Sequence, residues 1–464
     1  MTNSDSAATA AAAEFGAADL LREAAGRAER YLAGLEARAV FPTAAALAGL
    51  SAFDEPLPAT PQDARATLAL LDEAGSPATV ASAGQRYFGF VTGGSLPVTV
   101  AANWLATAWD QNGGPALGSP VAAKLEQVAL GWLVQALGLP AEAGGGFVTG
   151  ATMANFAGLA AARHALLRRK GWDVEAQGLF GAPPLTVVVG EEVHVSLLKA
   201  LGLLGLGRER VVRAPVDGEG RMRAEALPAL TDTTVVCIQA GNVNNGAFDP
   251  AEAIIARARA AGAWVHVDGA FGLWAAAAPG RAHLMAGYAE ADSWATDAHK
   301  WLNVPYDSGL AFTRRAADLR GAMSHNQAAY LLAGDERVPM EYTPEMSRRA
   351  RGIEVWAALR TLGRDGLAEM IERCCQLAAR LAEGLRAAGF EVLNEVALNQ
   401  VLVSFGEAED TRRVMRELQM EGTGWAGTTV WHGRTAMRIS VSSWATTEAD
   451  AEQLVKTLTR LARG

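Results

Sequence analysis

The stretch Ser293-Trp-Ala-Thr-Asp-Ala-His-Lys-Trp301 decides how the rest of the chain is read. Its first half is apolar and strand-like, and its second half turns polar at Asp297, His299 and Lys300. Solvated lysines sit on helix faces among other charges, whereas this one follows a strand and stands between a histidine and a tryptophan. A partly desolvated amine in such a place can lose its proton and attack a carbonyl to form a Schiff base. Working outward, 293–297 is one of seven apolar strand candidates, the others being 146–150, 185–190, 210–215, 233–240, 264–268 and 308–313. Helical patterns fall between most of them, at 152–169, 195–204, 222–229, 249–262 and 281–289. Repeated βα units imply an α/β fold with a mostly parallel seven-stranded sheet covered by helices on both faces. Ligands in such sheets lie at the carboxyl ends of the strands.

Upstream of this block, 17–37 carries one apolar stripe and reads as a helix, as does 62–74, while residues 1–16 read as frayed and 51–62, with Pro56, Pro58 and Pro61, as an extended connector. The glycine- and aromatic-rich GQRYFGFVTGGSLP (84–97) suits a loop with close backbone approaches. Helices are expected through Trp104–Trp109 and over 119–137. Downstream, a polar stretch from Ser324 to Ser347 precedes helices at 347–362 and 366–387, short strands at 389–395, 399–405 and 435–442, and a last helix capped by Thr447 and Asp450. The expected organisation is an N-terminal helical segment (1–83), a large domain (84–325) and a small α+β domain (326–464).

Half of the 464 residues are hydrophobic, enough for a sizeable core, and the net charge of −9 without a long basic run argues against nucleic-acid binding. The three cysteines, Cys237, Cys374 and Cys375, form no Cys-x-x-Cys and no plausible staple, which reads as a reduced, cytoplasmic protein without a cysteine-based metal site. The N-terminus lacks a basic region ahead of an apolar run, so no signal peptide is expected, and no apolar run is long enough to span a membrane.

Several stretches complement Lys300. In FVTGATMANFAGL (147–159) a strand passes through a tight turn at Gly150 into a helix, so that the hydroxyls of Thr149 and Thr152 and the amides of Ala151 and Thr152 offer what a phosphate needs. In AWVHVDGAFG (263–272) a strand ends in Asp268, a carboxylate that is costly to bury without a cationic partner. A protonated pyridine nitrogen is such a partner, and Gly269 and Ala270 leave room for a flat ring. His194 opens a helix after a strand, where an imidazole can stack on that ring, and His299 can reach the phosphate. His266 shares a strand face with Asp268 and reads either as support for it or as a satisfied core histidine.

Together these motifs resemble the fold-type I pyridoxal phosphate (PLP) enzymes, and most closely a divergent branch of the group II amino-acid decarboxylases, of the aromatic-amino-acid and glutamate decarboxylase kind. The carrying stretches are YFGFVTGGSLP, FVTGATMAN, HVSLLKA, QAGNVNNGAFDP, HVDGAFG, HKWLNVPYDSG, SRRARGIEVWAALRTLG and GRTAMRIS, covering roughly 84–464. The resemblance implies that Lys300 anchors PLP covalently, Asp268 pairs with the ring nitrogen, His194 stacks on one ring face and Ala270 on the other. It also implies that Thr149, Gly150, Ala151, Thr152 and His299 surround the phosphate. It implies a homodimer with the active site at the interface and the N-terminal helices wrapped around the partner. The chain departs from the family pattern at Asp297-Ala298, where Asn-Pro is usual, at Gln239-Ala240-Gly241-Asn242-Val243, and at Gly269 and Phe271.

The expected reaction is decarboxylation of an L-amino acid; the cluster Tyr87, Phe88, Phe90, Trp104 and Trp109 reads either as core packing or as a substrate entrance that would suit an aromatic or apolar side chain. An aminotransferase, an oxidative aldehyde-forming relative and a non-catalytic PLP-binding protein are the alternatives. The tyrosines of the 324–347 stretch, Tyr330 and Tyr342, are candidates for the acid that protonates Cα, and Tyr342 is preferred. Arg349 and Arg438 are candidate substrate contacts; a bidentate carboxylate clamp at Arg438 would point toward transamination.

Overall fold

The computed structural model describes residues 17–324 and 337–464. Two sheets organise the chain. The larger has seven strands: β1 (Gly144–Val148), β2 (Thr186–Gly190), β3 (Val212–Ala214), β4 (Thr234–Gln239), β5 (Trp264–Asp268), β6 (Ser293–Asp297) and β7 (Gly309–Thr313), in the order β1-β7-β6-β5-β4-β2-β3. β3, β2, β4, β5 and β6 pair in parallel, and β7 runs antiparallel between β6 and β1. The middle strands are buried along their whole length, which is why their sequences show apolar runs rather than alternation.

The Ala151–Arg169 helix packs across β5, β6 and β7. Its buried face is mostly alanine, leucine and glycine. These small side chains bring it close to the sheet: a Cβ on Gly158 would lie 2.7 Å from the His266 ring on β5. At its start the approach is closer still. A Cβ on Gly309 would sit 2.4 Å from the Gly150 Cα, so the turn carrying Gly150 fits only against a bare backbone.

The smaller sheet, β8 (Glu391–Val392), β9 (Gln400–Ser404), β10 (Gly427–Trp431) and β11 (Arg434–Ser440), is antiparallel in the order β10-β11-β9-β8. The helical run Gly352–Ala387 breaks at Gly363, whose φ of 60° and ψ of −166° are non-helical, so two helices meet there as expected. The Glu448–Arg463 helix starts with the expected reciprocal capping by Thr447 and Asp450. N-terminal helices span Ala17–Ala33 and Ala64–Ala78, and the 84–97 stretch is irregular, with Phe90 and Val91 at φ of 52° and 60°.

Two local expectations change, and two elements were not expected. Residues 222–229 hold a single 3-10 turn, Ala224–Ala226, cut short before Pro228. Residues 281–289 form two 3-10 turns separated by Gly287, whose φ is 80°. The Ala408–Glu421 helix and β10 had no sequence forecast. The helix is capped by Glu407, an unusual residue at that position, and β10 is a half-exposed edge strand with one fully buried residue. The 1–16 segment expected to fray lies outside the described residues. Among the described residues no helix is long and apolar enough to cross a membrane.

Candidate active site

β5 and β6 are parallel neighbours, and each ends in a buried aspartate, Asp268 and Asp297. Asp268 receives a hydrogen bond from Asn155 Nδ2 at 3.1 Å, and behind Asn155 lies a directed chain. A carboxylate only accepts, so Asn155 turns its amide nitrogen to Asp268 and its Oδ1 to His266 Nε2, 2.9 Å away. Burial pushes the His266 pKa down to about 3, so the ring is neutral and its one proton is on Nε2. His266 Nδ1 then accepts from the Ser293 hydroxyl at 2.8 Å, and Ser293 Oγ accepts from Trp264 Nε1 at 2.9 Å. Four side chains thus fix the orientation of one carboxylate, and His266 is part of its support rather than an isolated core residue.

Asp297 is held differently. Its Oδ1 accepts from the backbone N–H of Ala151 at 2.6 Å and lies 3.5 Å from His299 Nε2. Its Oδ2 lies 2.9 Å from Lys300 Nζ. His299 Nδ1 accepts from the Ser308 amide at 3.0 Å, and its ring stacks on Tyr306 with centroids 4.2 Å apart. Burial lowers the His299 pKa, which leaves a neutral ring with its proton on Nε2, facing Asp297. Of the chain's five lysines, Lys124, Lys170, Lys199 and Lys456 are exposed and Lys300 is half-buried.

His194 caps the Val195–Leu203 helix, its Nδ1 accepting from the Ser196 hydroxyl at 2.7 Å. Its pKa is lowered, by burial first and then by the nearby Lys300 and Arg438 against the opposing pull of Asp268 and Asp297. Those influences put Lys300, Asp268, Asp297 and Arg438 within electrostatic reach of His194. Ala270 and the turn residues Thr149, Gly150 and Thr152 are half-buried, and neither threonine hydroxyl has a hydrogen-bond partner among the described residues.

Arg438, on β11, has its pKa lowered by burial. Among the described residues it has no carboxylate partner, and Asn244 Oδ1 lies 3.5 Å from its Nη1. Tyr87 stacks on Trp425 at 5.0 Å, Phe90 leans on the same indole at 5.1 Å, and burial pushes the Tyr87 hydroxyl up to about 12.

Several candidates sit elsewhere. Phe88 is in the main apolar core, and Trp104 and Trp109 are partly exposed on the Pro97–Trp109 helix. Arg349 pairs with Glu354 at 2.9 Å and lines a cavity of about 620 Å³ with Asn103, Ser347 and Arg348. That cavity does not contain Lys300 or either strand-end aspartate. Tyr342 packs beside β1 under the Arg337 guanidinium, 4.4 Å from its ring centre, and its carbonyl abuts Gly146. Tyr330 lies outside the described residues.

Residues 73–406 match the pyridoxal-dependent decarboxylase conserved domain. The chain belongs to the pyridoxal-dependent decarboxylase family. It is 30% identical over 403 residues to tryptophan decarboxylase 1 of Oryza sativa subsp. japonica, covering 78% of this chain and 77% of the relative. It is 27% identical to the aromatic-L-amino-acid decarboxylase of Bacillus atrophaeus, over 80% of each chain. The crystal structure of Oryza sativa TDC with PLP and tryptamine has the same fold, with a TM-score of 0.86 and 24% identity over 96% of this chain and 99% of that one. The protein is therefore a PLP-dependent amino-acid carboxy-lyase with the fold-type I architecture.

The residues around Lys300 fit that cofactor. The Gly150–Gly309 contact leaves no room for a side chain where a phosphate ester would approach, and the free hydroxyls of Thr149 and Thr152 flank the start of a 19-residue helix. Asp268 presents an acceptor for a protonated ring nitrogen. Asn155, Ser293 and Trp264 were not singled out from the sequence. A lone asparagine in the alanine-rich buried face of a helix was the available signal.

Proposed function

We propose that this decarboxylase acts on an L-amino acid with an aromatic or otherwise apolar side chain. The observation carrying the reading is the Tyr87–Trp425–Phe90 aromatic wall, with Tyr87 close enough to the Arg438 guanidinium for the two to interact electrostatically. Lys300 is the covalent anchor, Asp268 the partner of the ring nitrogen, and His194 and Ala270 the two sides of the ring. Thr149, Gly150, Ala151, Thr152 and His299 form the phosphate cradle. When bound, the cofactor supplies an electron sink for the pair left at Cα as carbon dioxide departs.

The chain's own groups orient and protonate. Asp268, fixed through Asn155 and His266, holds its negative charge in one direction. Arg438 draws in the substrate carboxylate; with one guanidinium nitrogen turned toward Asn244, its hold is looser than a bidentate clamp. The proton that replaces the carboxylate is proposed to come from His194 Nε2–H or the Lys300 amine, which lie within electrostatic reach of each other. The same guanidinium favours a second reading, an acidic substrate whose side-chain carboxylate meets Arg438. Carbon dioxide release across a panel of aromatic, aliphatic and acidic L-amino acids tests the choice. Aromatic substrates with the highest kcat/KM support the first reading, and glutamate or aspartate leading supports the second.

The assembly is proposed to be a cytoplasmic homodimer. Apolar side chains stand exposed on the N-terminal segment, at Leu21, Leu57 and Leu71, and at Trp104, Leu105 and Leu117 beyond it. Faces of this kind are normally covered. Light scattering that returns a monomer at working concentration would contradict it.

A further inference from the structure

We propose that Asp297 is a built-in competitor for the phosphate cradle and so limits how tightly PLP is retained. The inference rests on the assignment of Lys300 as the cofactor anchor. Asp297 Oδ1 takes the first amide of the Ala151–Arg169 helix, at 2.6 Å from Ala151 N. The second observation is the geometry around it. A Cβ on Gly150 would meet that same oxygen at 3.4 Å and His299 Cε1 at 3.1 Å, so carboxylate and imidazole already close on the turn from one side. The carboxylate is buried, with 2% of its side chain exposed, so water screens it little. The cationic partner near it is Lys300, on the other oxygen, and His299 is neutral.

A phosphate ester arriving at Ala151 therefore displaces Oδ1 from the amide and then lies beside a like charge. Asparagine at the same place would keep the shape, could turn its amide nitrogen to the phosphate and carries no charge. The cost falls on the phosphate of the cofactor and not on its ring or aldehyde. This separates the proposal from a role in which Asp297 acts through Lys300 alone, since that role affects PLP and pyridoxal equally.

The test compares wild type with Asp297→Asn, both stripped of cofactor, titrated with PLP and with pyridoxal, which lacks the phosphate. The readout is the absorbance of the lysine-linked chromophore, and the dissociation rate is followed by dilution. The expected result is PLP bound about tenfold or more tighter by the variant, the size of one relieved like-charge contact, with pyridoxal affinity within about twofold of wild type. Equal weakening of both ligands would mean that Asp297 acts through Lys300, and weakening of PLP alone would mean that it supports the phosphate; either overturns the proposal. Asp297→Ser provides a second neutral side chain if the asparagine variant fails to fold. Absence of a chromophore in wild type with either ligand would overturn the Lys300 assignment, and this proposal with it.

Discussion

The ends of β5 and β6 carry the same residue type in the same sheet, yet their surroundings differ. Asp268 is held by a chain of neutral groups, Asn155, His266, Ser293 and Trp264, each with its hydrogen-bonding direction set by the next. Asp297 is held by a backbone amide and by the ammonium of Lys300, the proposed cofactor anchor. A neutral network can stay unchanged while reactants come and go, which suits a carboxylate that must keep one charge in one place. An ionic contact to Lys300 must rearrange once Nζ bonds to carbon. With Lys300 as the proposed anchor, the β5 end would be a fixed support and the β6 end a contact that loading the enzyme alters.

The largest expected effect is at the residue that divides the two ends. Lys300→Ala should abolish the bound chromophore and lower decarboxylation by roughly a thousandfold or more, about 4 kcal/mol of barrier. Next comes the same substitution made at both strand ends. Asp268→Asn removes the charge proposed to keep the ring nitrogen protonated and should cut kcat by roughly a hundredfold. Asp297→Asn should act first on cofactor retention, read by PLP dissociation rates. Equal losses of kcat from the two substitutions would erase the distinction drawn here.

A smaller effect tests the support itself. Asn155→Leu leaves Asp268 without its side-chain donor and the His266 Nε2–H unpaired, and should cost about 1–3 kcal/mol per orphaned group in urea unfolding. It should also lower kcat more than it raises KM. The smallest effect is a pH dependence. The folded His266 pKa of about 3 lies below the ordinary 6.5, so its stabilising contribution is fully present above pH 6.5 and is lost as pH falls toward 3. Asp249, pushed up to about 6 by burial, has the opposite sign: its contribution is present below the ordinary carboxylate range and is lost as pH rises through 6. Comparison with His266→Phe isolates the histidine. The variant should be less stable at pH 7, and the gap should narrow as pH falls from 6.5 to about 4.

The fold was legible wherever burial was uniform. All seven strands of the large sheet were anticipated, the inner ones because segments such as β4 are apolar on both faces. The half-exposed β10 left no comparable pattern, and Gly287 and Pro228 interrupted segments whose composition alone suggested helix. Within the site, Lys300, Asp268 and His194 stood out because each is a polar side chain at the edge of an apolar element. Asn155 was hidden because its partners come from strands more than a hundred residues away in sequence, joined to it only by the close packing that Gly158 permits. Tyr342 stood out by its place in the chain, and its ring lies beside β1 under Arg337.

The most direct test of the account is borohydride reduction of the PLP-loaded enzyme, followed by proteolysis and mass spectrometry of the peptides. A pyridoxyl group is expected on the peptide bearing Lys300 and on no other. A label on Lys124, Lys170, Lys199 or Lys456, or no label on a loaded and active enzyme, would contradict it.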